Sequence, residues 1–189
     1  GLGNIGGIIG WANVNTRVEN CYNAGNINGK EAVGGIAGFL QSSFRGETYV
    51  KNSYNSGTVT GTEYVAGIVG DAMNTVQIAD SYNAGKAHYA IAGNVYNNTV
   101  QITRCYFLGT ASANSSPDYT WYTEEEMAAR ATAVSGQEMS SAEFAALLGS
   151  AFKASCPYPV LSWQTAKEHT GSVCNNCKLG STEKEIYDV

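Results

Sequence analysis

The chain has 189 residues, 11 basic and 16 acidic, for a formal charge of −5, and only 14% of its side chains are charged. Without a basic excess it is not composed to neutralise phosphates, and with 43% hydrophobic residues it is not composed like a disordered chain. No apolar run approaches the roughly 20 residues that span a bilayer, and 22 glycines against 3 prolines describe a chain that turns often between packed strands. It opens at Gly1 without a leader segment and reads as a piece of something longer.

Two motifs alternate from the start. Asn20-Cys21-Tyr22-Asn23-Ala24-Gly25 recurs as Asn-Ser-Tyr-Asn-Ser-Gly at 52–57 and as Asp-Ser-Tyr-Asn-Ala-Gly at 80–85. A worn copy, Arg-Cys-Tyr-Phe-Leu-Gly, stands at 104–109, so the tyrosines fall at 22, 54, 82 and 106 with spacings of 32, 28 and 24. Between them lie Gly6-Gly7-Ile8-Ile9-Gly10, Gly34-Gly35-Ile36-Ala37-Gly38, Ala66-Gly67-Ile68-Val69-Gly70 and Ala90-Ile91-Ala92-Gly93. Aligning on the tyrosines matches Val18, Val50, Ile78 and Ile102, then Ile27, Val59 and Ala87, then Ile5, Val33 and Val65, with His88 in the last copy.

Each unit therefore offers three short apolar segments separated by the turn formers Gly, Asn, Ser and Thr. The segments are too short and glycine-rich for helices, and β-branched residues favour strands. The fold predicted is mainly β: a parallel β-helix, or β-solenoid, of about four coils over residues 1–109, each stacked on the next at about 4.8 Å. Equivalent residues then form aliphatic, tyrosine and asparagine ladders. Strand parity from Val18 would turn Tyr22 inward, whereas a bend at Asn20 would turn Cys21 inward instead. The literal G-x-G-x-x-G of residues 1–6 lacks a βαβ setting and is a repeat fragment.

The alternation of V-G-G-I-A-G with N-S-Y-N-S-G resembles the GLUG-type repeats of bacterial surface proteins, over about residues 1–109. Tyr158-Pro159-Val160-Leu161-Ser162-Trp163-Gln164 also resembles the usual end of such arrays. The resemblance implies a secreted or wall-associated bacterial protein and no reaction. The function expected is that of a non-enzymatic spacer or adhesion module, presenting loops to a glycan or to a host or matrix protein. It takes no nucleic acid and inserts nothing into a membrane. The longest loop is the insertion from Leu40 to Glu47, where Gln41, Phe44 and Arg45 are the candidate ligand-binding residues.

After Gly109 the period stops. Residues 110–165 read as a C-terminal cap with short helices, covering the core and edge that the last coil would leave open. Thr123 caps one start, before Glu124, Glu125 and Glu126. Ser140 with Glu143 forms a capping box for a second helix, with Phe144, Leu147 and Leu148 on one face and its end at Gly149. Pro157 and Pro159 hold the next segment extended, with Val160, Leu161 and Trp163 as bulky cover. Residues 166–189 are a cysteine-containing tail or the start of a following module.

Cys21 and Cys105 share a repeat position three coils apart, about 14 Å, which is beyond disulfide reach. Cys156, His169, Cys174 and Cys177 have the spacing of a Cys3His site for a structural zinc, the only cofactor the sequence suggests. The alternatives are a disulfide, within the Cys174/Cys177 pair or between Cys156 and one of those two, and unpaired thiols. The rival function is a β-helical polysaccharide lyase or glycoside hydrolase, which needs carboxylates converging on one face. Aligned on the tyrosines, Glu19 stands opposite Lys51 and Ala79, and Asp80 opposite Asn20 and Asn52. The sequence reading therefore expects no column with two carboxylates and no catalytic residues.

Overall fold

A computed structural model of the chain describes residues 3–43, 46–97, 99–109 and 121–167. Its first coil runs through β1 (Gly3–Gly6), β2 (Ile9–Asn13), β3 (Arg17–Glu19), β4 (Tyr22–Asn23) and β5 (Ile27–Asn28). The second repeats this as β6 (Glu31–Gly34), β7 (Ala37–Gln41), β8 (Thr48–Lys51), β9 (Tyr54–Asn55) and β10 (Val59–Thr60). The third comprises β11 (Glu63–Ala66), β12 (Val69–Met73) and β13 (Val76–Asn83), and the fourth β14 (Ala92–Val95) and β15 (Gln101–Leu108).

Coil pairs with coil in parallel throughout, giving a first sheet β1-β6-β11, a second β2-β7-β12-β14 and a third along β3-β8-β13-β15. This is a β-solenoid of about four turns. The tyrosine alignment is the register of the third sheet. Tyr22, Tyr54, Tyr82 and Tyr106 pair in sequence, as do Val18, Val50, Ile78 and Ile102. Gln41 pairs with Met73, 32 residues on, but Thr48 with Val76, only 28 on, so the second coil carries four extra residues between them.

The glycine motif is not one strand but the corner between the first and second sheets, with β1, β6 and β11 before it and β2, β7 and β12 after it. A Cβ on Gly35 would lie 2.2 Å from the Gly67 carbonyl oxygen and 2.5 Å from Asn55 Cγ. One on Gly70 would lie 2.5 Å from the backbone of Ala32 and Val33. Only glycine lets the two sheets approach this closely.

A second corner settles which way the Asn-x-Tyr-Asn motif faces. Asn20, Asn52, Asp80 and Arg104 all have left-handed backbone, with φ of 52°, 48°, 50° and 47°. Asn and Asp tolerate this conformation better than other side chains with a Cβ. The kink resets strand parity, so Ser53, Ser81 and Cys105 are buried and Cys21 packs against the main core. The following asparagines also point inward, and the tyrosines stack on the other side of the strand.

Two apolar clusters fill the coils. The larger is built on Val18, Val50, Ile78 and Ile102 with the aliphatic residues of the second sheet, and the smaller on Val33, Val59, Val65 and Ala87. The chain divides into compact units at 1–133 and 134–189. The division falls beyond the repeats because Tyr122, Met127 and Ala131 join the larger cluster beside Val95, Val100 and Ile102. They come from the helix α1 (Glu124–Ala128), its approach, and β16 (Ala131–Val134), which extends the third sheet next to β15. Thr123 caps α1 in a full capping box with Glu126.

In the second unit α2 (Gly136–Met139) begins at a capping box of Ser135 and Glu138 that the sequence reading passed over. The following helix α3 (Ala142–Leu147) is capped by Ser141 rather than Ser140, which ends α2. Phe144 and Leu148 are buried as expected, but Leu147 is exposed, and Gly149 closes the helix at φ 88°. An antiparallel pair, β17 (Phe152–Lys153) and β18 (Val160–Leu161), completes the described part.

Candidate functional site

The recurring asparagine and serine columns are consumed by the fold. Asn55 Nδ2 donates to Asn83 Oδ1 (2.8 Å) and to the Gly57 carbonyl (2.8 Å), while its Oδ1 accepts from Asn23 Nδ2 (2.7 Å) and the Gly57 amide (3.2 Å). All four hydrogen-bonding positions of that amide are filled within the protein, as stacked amides in a β-ladder require. In the next column Ser53 Oγ donates to the Lys51 carbonyl (2.7 Å) and accepts from the Cys21 amide (3.2 Å). Tyr22 and Tyr54 stack with centroids 5.3 Å apart, and Tyr54 and Tyr82 at 5.0 Å. Tyr54, Tyr82 and Tyr106 are buried, so this ladder is not an open platform.

The sequence-predicted ligand residues are only partly placed. Gln41 ends β7 and its Nε2 donates to Met73 Sδ at 3.5 Å on the neighbouring coil. Phe44 and Arg45 lie outside the described residues. The base of their loop is pinned: Ser42 Oγ donates to the Gly46 carbonyl (3.0 Å), and Asn74 Nδ2 to that of Ser42 (2.8 Å). Cys156 is buried and disulfide-bonded. A sulfur in a disulfide offers no thiolate to a metal. His169, Cys174 and Cys177, the other members of the proposed zinc set, lie outside the described residues.

The carboxylates depart from expectation. Glu31 and Glu63 pair in register at the start of β6 and β11, both exposed, so one repeat column does hold two acids. The match was present in the sequence: each stands nine residues after its ladder tyrosine. Asp80 is spent differently, in a bidentate ion pair with Arg104 on the next coil (Nη2 to Oδ2 2.8 Å). His88 packs edge-on against Tyr89.

Among the described acids, Asp71 has an unusual environment. It occupies a column of the second sheet with Trp11, Phe39 and Asn94. Asn94 is 3% exposed, its Nδ2 donates to Asp71 Oδ1 at 3.0 Å, and its own Oδ1 has no partner. Burial pushes the Asp71 carboxyl up to about 6. The Asn94 amide and the backbone at Ala72 oppose that rise, and the nearby Glu31 charge adds to it.

The next column outward on the same face runs Asn13, Gln41, Met73 and, one residue beyond the Ala72–Val95 pair, Tyr96. Tyr96 donates its amide to the Ala72 carbonyl (3.0 Å) and Trp121 donates to that of Val95 (2.8 Å). The same offset places Trp121 beside Tyr96, one step along the solenoid. Trp11, Tyr96 and Trp121 are 55%, 57% and 59% exposed. Periodicity did not flag these residues, because nothing in either column repeats; only their alternation with the inward Ala12, Leu40, Ala72 and Val95 gives them away.

No family model and no curated protein matches the chain. Among solved structures it is similar to a candidate immunoglobulin A1 protease from Bacteroides ovatus, at 20% identity and a TM-score of 0.55. The match covers 79% of this chain and 58% of that one. At that identity the likeness is one of fold, and the chain spans little more than half the neighbour's length.

Proposed function

We propose that the chain is a non-enzymatic repeat region, of the GLUG type, in a secreted or cell-surface bacterial protein. It acts there as a spacer and adhesion module for an extracellular glycan or matrix ligand. The observation that carries this reading is the saturation of the repeating columns: asparagine amides, serine hydroxyls and stacked rings serve coil-to-coil cohesion. The non-repeating outward residues are then the ones free to vary with a ligand. The likeness to the solved structure is one of fold, and that neighbour's protease name carries no residue over. Binding by such a face is weak per contact and gains from many copies on one surface. The module needs no cofactor and contacts no nucleic acid.

One observation favours a second reading, a β-helical polysaccharide lyase or hydrolase. Asp71 holds its proton to about pH 6, and Glu31, whose charge reaches it, stacks with Glu63. A carboxyl that burial holds above the ordinary range, with a second acid acting on it, is what general-acid chemistry on a glycosidic bond draws on.

Incubation of the purified chain with neutral and uronate polysaccharides separates the two. The non-enzymatic reading expects no new reducing ends and no unsaturated products. Product formation that survives repurification and is abolished in Asp71→Asn or Glu31→Gln would replace it with the enzymatic one.

A further inference from the structure

Exposed aromatic rings are costly to leave in water, and a cluster of them on one face of a soluble fold marks a contact surface. Trp11, Tyr96 and Trp121 stand on the outer side of the second sheet, with the half-buried Phe39 next to Trp11. The rings come as two pairs, Trp11 with Phe39 on the first two coils and Tyr96 with Trp121 on the last coil and the turn after it. On the third coil between the pairs lie the Asp71 carboxylate and Met73, with the Gln41 amide beside Met73 on the second coil and the buried Asn94 beside Asp71 on the fourth.

Three features define what fits this face. Neither column contains a lysine or arginine, so the only formal charge in them is the Asp71 carboxylate, with Glu31 close enough to act on it. Acidic polymers are repelled, and a ligand that donates hydrogen bonds without carrying negative charge is favoured. Asn94, buried next to Asp71 in the same column, donates to its carboxylate from the neighbouring coil, so the acceptor is held in place before any ligand arrives. Finally, the coils repeat every 4.8 Å or so, close to the length of one pyranose residue in an extended chain. A polysaccharide lying along the solenoid axis would thus meet a new coil with each sugar, its apolar ring faces on the aromatics and its hydroxyls on Asp71 and Gln41.

We infer that the outer face of the second sheet, from Trp11 and Phe39 past Asp71 to Tyr96 and Trp121, is a binding track for a neutral polysaccharide running parallel to the solenoid axis. This rests on the binding-module reading and moves the contact from the tip of the Leu40–Glu47 insertion to the sheet beside it.

The test is titration of the full chain with cellohexaose, mannohexaose and hexagalacturonate, followed by intrinsic tryptophan fluorescence. Circular dichroism and melting temperature control for folding in every variant. A neutral hexasaccharide should bind and perturb the emission, more tightly than its disaccharide, while hexagalacturonate does not. Tyr96→Ala and Trp121→Ala should each weaken binding by about ten-fold, and Trp121→Phe should restore most of it. Shortening the insertion by removing Ser43 to Gly46 should change affinity less than two-fold or so, on the same scale.

Binding that survives Tyr96→Ala and Trp121→Ala but is lost with the shortened insertion would overturn the track and leave the binding module standing. Preferential binding of hexagalacturonate would overturn the ligand class. Absence of binding to every sugar at about 5 mM would overturn the proposal. Hydrolysis or elimination of the hexasaccharides would overturn the non-enzymatic reading beneath it.

Discussion

Asp71 shows how a single side chain ties stability to acidity here. Its native pKa of about 6 lies above the ordinary 3.8 because burial disfavours the charged form. An acid that holds its proton more tightly when folded contributes most below about pH 4, and that contribution is lost as pH rises through 6. Asp71→Asn keeps an acceptor for Asn94 and removes the charge. It should leave the melting temperature near pH 4 unchanged and raise stability at pH 7.5, by at most about 2–3 kcal/mol. Equal stability of the two proteins across that range, measured by urea unfolding, would show that the carboxylate is not desolvated.

The cysteines make a second residue-scale case. Burial pushes the Cys105 thiol up to about 12 and raises Cys21 as well, though Cys21 is only half-buried. Iodoacetamide at pH 8 should therefore modify Cys21 slowly and Cys105 only after unfolding, since the thiolate is the reactive form. Mass mapping of a Cys21–Cys105 disulfide in the folded monomer would contradict the coil register.

At the scale of elements, the asparagine ladder is the most exacting part. Asn55→Ala would strand the Gly57 amide and carbonyl, and would take one of two partners each from Asn23 Nδ2, which keeps the Gly25 carbonyl, and Asn83 Oδ1, which keeps the Gly85 amide. A buried group left without its partner costs about 1–3 kcal/mol, so a loss of about 2–4 kcal/mol is expected by denaturant unfolding, after partial relaxation. Phe107 stands opposite Asn83 on the fourth coil, so the ladder ends there in any case.

Much of this level was legible in the sequence. The repeated Asn-x-Tyr-Asn-x-Gly gave the register, and the tyrosine spacings gave the coil lengths. The corner at Asn20 was not, since both parities suit the same letters and left-handed backbone recurs at Ala32 and Tyr64, which do not advertise it. Helix α3 was found one residue early because Ser140 and Ser141 are both good caps and only packing chooses between them. The aromatic face was missed for a different reason: repetition marks residues that stack on their own copies, and ligand-facing residues have no such copies.

At the scale of the whole molecule, a solenoid has no natural end and must be closed. Residues 121–133 do this for the last coil, with Met127 fully buried in the larger cluster and β16 covering the edge of β15. Ending the chain after Gly109 would uncover Val95, Val100, Ile102 and Cys105 together with an unpaired strand edge. Such a truncation should self-associate, as read by sedimentation velocity; a monomeric, soluble product would deny the segment its closing role.

Whether the solenoid binds a neutral glycan chain without cleaving it, as we propose, is answered in both halves by one spectrum. Proton NMR of a neutral hexasaccharide mixed with the full chain should show selective broadening of the sugar resonances, with anomeric signals constant in number and area over days. New anomeric or olefinic signals would contradict the claim from the side of chemistry, and sharp, unperturbed sugar resonances at millimolar protein would contradict it from the side of binding.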